Sequence, residues 1–194
     1  MAPLTIGLTG GIAAGKSEAL AAFGRLGAAT LSSDAVVHDL LEGGPLRAEL
    51  AARWGPEVAP AGAPTDRERI GGIVFADPEE LRWLESRIHP AVGAETAAWI
   101  AGLPDEVEFA VVEVPLLFEG GREQVFDTTV SIVAAEEVRR ARAAARGHAL
   151  VDAREARQLT QEEKAERAEH VIVNDGSVAD LEAALSALLA KLRG

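Results

Sequence analysis

Gly10-Gly11-Ile12-Ala13-Ala14-Gly15-Lys16-Ser17 fits the pattern G-x-x-x-x-G-K-[ST] without a gap. It follows a short apolar run, Leu4-Thr5-Ile6-Gly7-Leu8, that reads as a buried strand. Behind it, Ala19, Leu20, Phe23 and Leu26 recur at helical spacing between Ser17 and Leu26. Strand, glycine-rich turn and helix are the context a phosphate-binding loop requires. Glycines let the chain turn tightly, so that successive N–H groups point inward at phosphate oxygens. The helix adds the positive end of its dipole to the same anion. Lys16, one of three lysines in the chain, stands where it reaches the β- and γ-phosphates of a nucleotide. The Ser17 hydroxyl stands where it ligates Mg²⁺. The loop alone specifies nucleotide binding, a property shared by switches, motor ATPases and small-molecule kinases.

Working outward, residues 28–31 read as a second strand ending in Ser32-Ser33-Asp34, and Val36, Val37, Leu40 and Leu41 then mark a helix. Residues 45–102 lack a strand signal and read as several helices punctuated by glycine and proline, with Pro78 and Pro90 among the breaks. Strand signals return at 108–114 and 128–133. An Arg/Ala/Glu-rich helical region covers 135–168, a last strand 170–173, and Leu181, Leu185, Leu188 and Leu189 mark a C-terminal helix. Strands separated by helices predict an α/β fold: a P-loop-type parallel sheet flanked by helices. The expected organisation is one domain over 1–194, with a helical insertion at about 43–102 and a lid at about 139–165.

The net charge of −12 argues against nucleic-acid binding through phosphate contacts. The chain has no cysteine, which removes disulfides, thiolate metal sites and cysteine nucleophiles. It has no apolar stretch of membrane-spanning length, and Met1-Ala2-Pro3 leads into the first strand without a basic segment or cleavage site. The expectation is a soluble cytoplasmic protein. Six arginines between Arg139 and Arg157 face only Asp152 and Glu155, which suits either a small anionic ligand or a solvated helix face.

Further segments bring a family into view. The chain resembles the dephospho-coenzyme A kinases from about residue 5 to residue 180. Gly7 to Ser17 match a GLTGGIGSGKS-like loop, and Ser32-Ser33-Asp34 stand at a D-A-D segment. Val74-Phe75-Ala76-Asp77-Pro78, Trp83-Leu84 and His89-Pro90 match V-F-x-D-P and W-L…H-P segments. Glu113-Val114-Pro115-Leu116-Leu117-Phe118-Glu119 match D-V-P-L-L-F-E. Arg154, Gln158, Lys164, Ala168, Val171, Ile172 and Asn174 match the C-terminal pattern. The departures are Ser32 and Glu113 where that pattern has Asp, Ala13-Ala14 in place of Gly-Ser, Glu18 in place of Thr, and Arg139 where Gln is frequent.

The resemblance implies transfer of the ATP γ-phosphoryl group to the ribose 3′-hydroxyl of dephospho-coenzyme A, with Mg²⁺ arriving mainly with ATP. Gly11 to Glu18 would hold the nucleotide, with Ser17 on the metal. Asp34 would accept the hydroxyl proton, since the C-terminal ends of strands flank the ligand crevice of such sheets; the alternative is a purely structural role as a helix first-turn acid. Arg142 and Arg146, four apart on one helix face, would steady the transferring group from the lid, joined by Arg154. Asn174 would lie near the ATP base, although an Asn-Asp-Gly turn also explains it. His89, read as standing at a helix end, either caps that helix or touches the acceptor. Pro115, Leu116, Leu117 and Phe118 either pack the core or wall the acceptor site, with Glu119 at the edge, and Thr9 is near enough to touch either substrate. The competing readings are a nucleoside or nucleotide kinase on the same loop and sheet, a regulatory ATPase, and a binder that has lost catalysis.

Overall fold

The computed structural model describes residues 2–145 and 158–194. They form two compact units: Met1–Ser32 together with Leu103–Gly194, and Ser33–Gly102.

The first unit is built on β1 (Leu4–Gly10), β2 (Ala29–Ser32), β3 (Phe109–Glu113), β4 (Thr128–Val133) and β5 (His170–Val173), all paired in parallel in the order β2-β3-β1-β4-β5. Central parallel strands are covered on both faces, and accordingly every residue of β3 is buried. Helix α1 (Lys16–Arg25) packs on one face, where Ala19, Ala22 and Phe23 meet Ile6, Leu8, Val111 and the C-terminal helix. Thr5 donates to Asp127 through both its backbone N–H and its hydroxyl, at 2.8 Å each, and ties the start of β1 to the approach to β4.

Apolar spacing located these strands to within a residue or two. The Arg-rich region expected at 135–168 is described as α6 (Glu136–Ala145). Arg146, Arg154 and part of the expected lid lie outside the described residues.

The second unit consists of α2 (Ser33–Glu42), α3 (Gly44–Trp54), α4 (Arg67–Ala76) and α5 (Pro78–Ala101). Asp66 and Asp77 cap α4 and α5 by accepting backbone N–H groups from Arg69 and Glu79. Arg47 staples the proline-rich connection by donating to the Pro60 and Ala63 carbonyls, both at 2.6 Å, and to the Thr65 hydroxyl. Pro90 does not end a helix as the sequence suggested: α5 runs through it for 24 residues. An interior proline costs about 3 kcal/mol. Buried Leu84 and Val92, on either side of it, and packing against α2 and α4 offset that cost. His89 therefore lies exposed within the helix and does not cap its end.

Leu181, Leu185, Leu188 and Leu189 close the core of the first unit from α8 (Val178–Arg193), behind α7 (Gln161–Arg167). Both helices open with a complete capping box, Thr160 with Glu163 and Ser177 with Asp180.

Candidate active site

β1 ends at Gly10 and α1 begins at Lys16, so the phosphate loop lies at the C-terminal edge of the sheet. The turn needs positive φ at three of its residues: Gly10 at 149°, Ala13 at 58° and Gly15 at 99°. A side chain on Gly15 would put its Cβ 2.2 Å from Asn174 Nδ2, so only glycine fits. Ala13 adopts the left-handed conformation despite its Cβ, at a cost of about 1–2 kcal/mol.

The Lys16 ammonium folds back over this loop and donates to the carbonyls of Gly10 (3.2 Å) and Gly11 (2.9 Å). An incoming phosphate would offer the ammonium charged acceptors in place of these neutral carbonyls, an ion pair in place of a charge–dipole contact. Ser17 follows in the first turn of α1, exposed. Backbone N–H groups, an ammonium, a hydroxyl and a helix N-terminus form a donor set that fits a nucleotide triphosphate with its Mg²⁺.

Asn174 and Arg142 hold the loop from behind. Asn174 is buried; its Nδ2 donates to the Ala14 carbonyl at 2.8 Å and its backbone N–H to the Val133 carbonyl. Arg142 Nη1 donates to the same Ala14 oxygen at 3.3 Å. On α6, Arg140 pairs with Glu136 on the surface, while Arg142 reaches the loop. Asp175 accepts from the Ala135 N–H at 2.6 Å and fixes the start of α6.

A second layer braces the loop from α7. Gln161 accepts from the Ala134 N–H and donates to the Ala134 carbonyl, and its side chain lies against Gly11. Lys164, fully buried, donates to the Pro115 carbonyl at 2.6 Å and pairs with Glu119 at 3.1 Å. The Thr9 hydroxyl donates to the same Pro115 oxygen at 3.3 Å.

A family model described as dephospho-CoA kinase matches residues 4–180. The chain belongs to the dephospho-CoA kinase family. Dephospho-CoA kinase from Anaeromyxobacter dehalogenans is 42% identical over 97% of this chain and 92% of its own. The crystal structure of TT1252 from Thermus thermophilus matches over the whole of both chains at 36% identity, with a TM-score of 0.86. Dephospho-CoA kinase from Campylobacter jejuni matches over 97% of this chain and 96% of its own, at 28% identity and a TM-score of 0.72.

Against that family pattern, Lys16, Ser17, Arg142 and Asn174 meet at the loop. Asn174 holds the loop's backbone through Ala14. Ile12 and Ala13 are half-buried along the turn. The Glu18 carboxylate is paired with Arg25 at 2.8 Å along α1. Thr9, Leu117 and Phe118 are buried, and Leu116 alone of the Pro115 to Phe118 segment is well exposed. Glu119 accepts from Lys164 and from the Leu159 N–H, which makes it part of the brace. Asp34 is exposed in the first turn of α2, and His89 lies on α5, both in the second unit.

Sequence reasoning quoted Lys164 without giving it a role and passed over Gln161. A lysine in a lysine-poor chain was the available signal for the first; the second had none.

Two outcomes are expected. Replacing Ala13 by glycine relieves the left-handed strain and loses part of the gain to chain entropy, for a net stabilisation of about 0.5 kcal/mol in urea unfolding. Lys164→Met leaves the Glu119 carboxylate without its cation and costs about 3 kcal/mol, a fall in Tm of about 6–12 °C. A Lys164→Met/Glu119→Leu double variant recovers a large part of that loss; equal loss in both would remove the ion pair from this account.

Proposed function

We propose that this chain transfers the γ-phosphoryl group of ATP to the ribose 3′-hydroxyl of dephospho-coenzyme A, giving coenzyme A and ADP. The observation that carries the reading is the glycine-cradled loop with Lys16 folded over it, in a chain that matches the dephospho-CoA kinase model over residues 4–180.

The roles follow from what phosphoryl transfer needs: held phosphates, neutralised charge and an aligned hydroxyl. N–H groups of the phosphate loop and the Lys16 ammonium hold the phosphates. Ser17 would be the protein's ligand to the Mg²⁺ that accompanies ATP, which would supply further positive charge to the phosphates. Arg142 stays charged throughout and steadies the transferring group. Asp34 accepts the proton of the attacking hydroxyl.

The helical unit, which includes the insertion at about 43–102, receives the acceptor, with His89 and the Pro115 to Glu119 segment as its contacts. The Arg-rich lid at about 139–165, with Arg146, excludes water. No helix among the described residues is long and apolar enough to cross a membrane, and a cytoplasmic location belongs to the same proposal.

Product identification tests the reading. Purified protein is given ATP, Mg²⁺ and dephospho-coenzyme A, with AMP and adenosine as competing acceptors, and products are read by mass spectrometry. Coenzyme A as the dominant product is expected; phosphorylated AMP or adenosine in its place transfers the function to a nucleotide or nucleoside kinase. Asp34→Asn is expected to lower kcat by at least about 100-fold and to leave ATP binding intact. Near-normal turnover in that variant would remove Asp34 as the proton acceptor.

A further inference from the structure

Three helices of the first unit, α1, α7 and α8, carry an acid three residues beyond the N-cap, and two of them use it in the same way. In α7, Glu163 reaches back and accepts from the Thr160 N–H at 2.7 Å; in α8, Asp180 accepts from the Ser177 N–H at 2.8 Å. Each acid thereby takes up a donor at the start of its helix. Helix α1 has Gly15 as its N-cap and Glu18 at the corresponding position.

Glu18 does the opposite. Its carboxylate extends forward and accepts from Arg25 Nη2 at 2.8 Å, seven residues on and so on the same helix face. Arg25 closes α1 and gives its Nε to Glu182 of α8. Glu18 and Arg25 are 42% and 46% exposed, and a lone pair at such exposure holds weakly. The guanidinium has separate donors for its two carboxylates, so Glu182 holds it in place before Glu18 meets it.

The direction matters because the start of α1 is also the end of the phosphate loop. The Gly11 and Ala14 N–H groups are already taken up by the Ile132 and Gly11 carbonyls, so anion binding falls on the N–H groups that remain. A Glu18 carboxylate folded back on the Gly15 N–H would occupy one of these and set a like charge beside the phosphates. We propose that Arg25 is a positioning residue for nucleotide binding: anchored on Glu182, it draws the Glu18 carboxylate off the N-cap of α1 and keeps the Gly15 N–H open to phosphate. Without Arg25, Glu18 folds back as Glu163 and Asp180 do, and the chain caps its own phosphate loop. This rests on the reading that the loop binds the nucleotide.

A double-mutant cycle separates this role from a merely structural one. Affinity for the non-hydrolysable analogue AMP-PNP, with Mg²⁺, is measured by calorimetry for the wild type, Arg25→Gln, Glu18→Ala and the double variant. Arg25→Gln is expected to bind about fivefold more weakly than the wild type, the weight of one capping interaction. In the Glu18→Ala background no carboxylate can fold back, and the same substitution is expected to change affinity by less than about twofold. Arg25→Met, which keeps the apolar stem, is expected to show the same dependence on Glu18 and stands in if Arg25→Gln does not fold. Unchanged affinity in the Arg25 variants would overturn the proposal. So would equal losses in both backgrounds, the result that general weakening of α1 against α8 produces. Wild-type protein that does not bind AMP-PNP would overturn the nucleotide-site reading itself.

Discussion

The conformation of the phosphate loop depends on one backbone oxygen, the carbonyl of Ala14. Asn174 reaches it across 160 residues of sequence, and Arg142 reaches it from α6. An oxygen held from two sides cannot turn into the loop, where it would meet a phosphate with like charge. The Gly11 and Ala14 N–H groups are themselves taken up by the Ile132 and Gly11 carbonyls, which fixes the turn further. The fit is tight enough that Gly15 has no room for a side chain beside Asn174.

The rest of the first unit can be understood as support for that geometry. Parallel pairing places β1, β3 and β4 so that their C-terminal ends lie together, the usual site of ligands in open α/β sheets. Short helix α7 then acts as a brace. Its capping box fixes the first turn, Gln161 locks Ala134 at the end of β4, and Lys164 locks Pro115 beyond β3. Burying a lysine is costly, and the cost is offset here by a carboxylate partner and a 2.6 Å hydrogen bond. Thr9 and Lys164 share the Pro115 carbonyl, which joins the approach to the phosphate loop to the segment that follows β3.

Much of this was legible in the sequence, for physical reasons that differ from residue to residue. Lys16 and Ser17 were readable because a glycine turn between an apolar strand and an amphipathic helix has few other uses. The parallel sheet followed from alternation of strand and helix signals, whereas the strand order β2-β3-β1-β4-β5 was visible only in the structure. Pro90 misled because local propensity predicts a break, while packing on both sides of α5 offsets it. Asn174 was read as lying near the ATP base or in a turn; its hold on the Ala14 carbonyl was not legible because the two are 160 residues apart. The tie between Glu119 and Lys164 was not legible, because nothing local shows that a lysine 45 residues later will pair with it.

The central claim is that the backbone of Gly10 to Ser17, held open by Asn174 and Arg142, is the nucleotide site of this dephospho-CoA kinase family member. Calorimetric titration of ATP into a Gly15→Ala variant beside the wild type tests it most directly, with far-UV circular dichroism to confirm the fold. The added methyl must displace Asn174 and abandon the positive φ. The account predicts ATP binding at least about 100-fold weaker in a folded protein. Binding within about threefold of the wild type would contradict it.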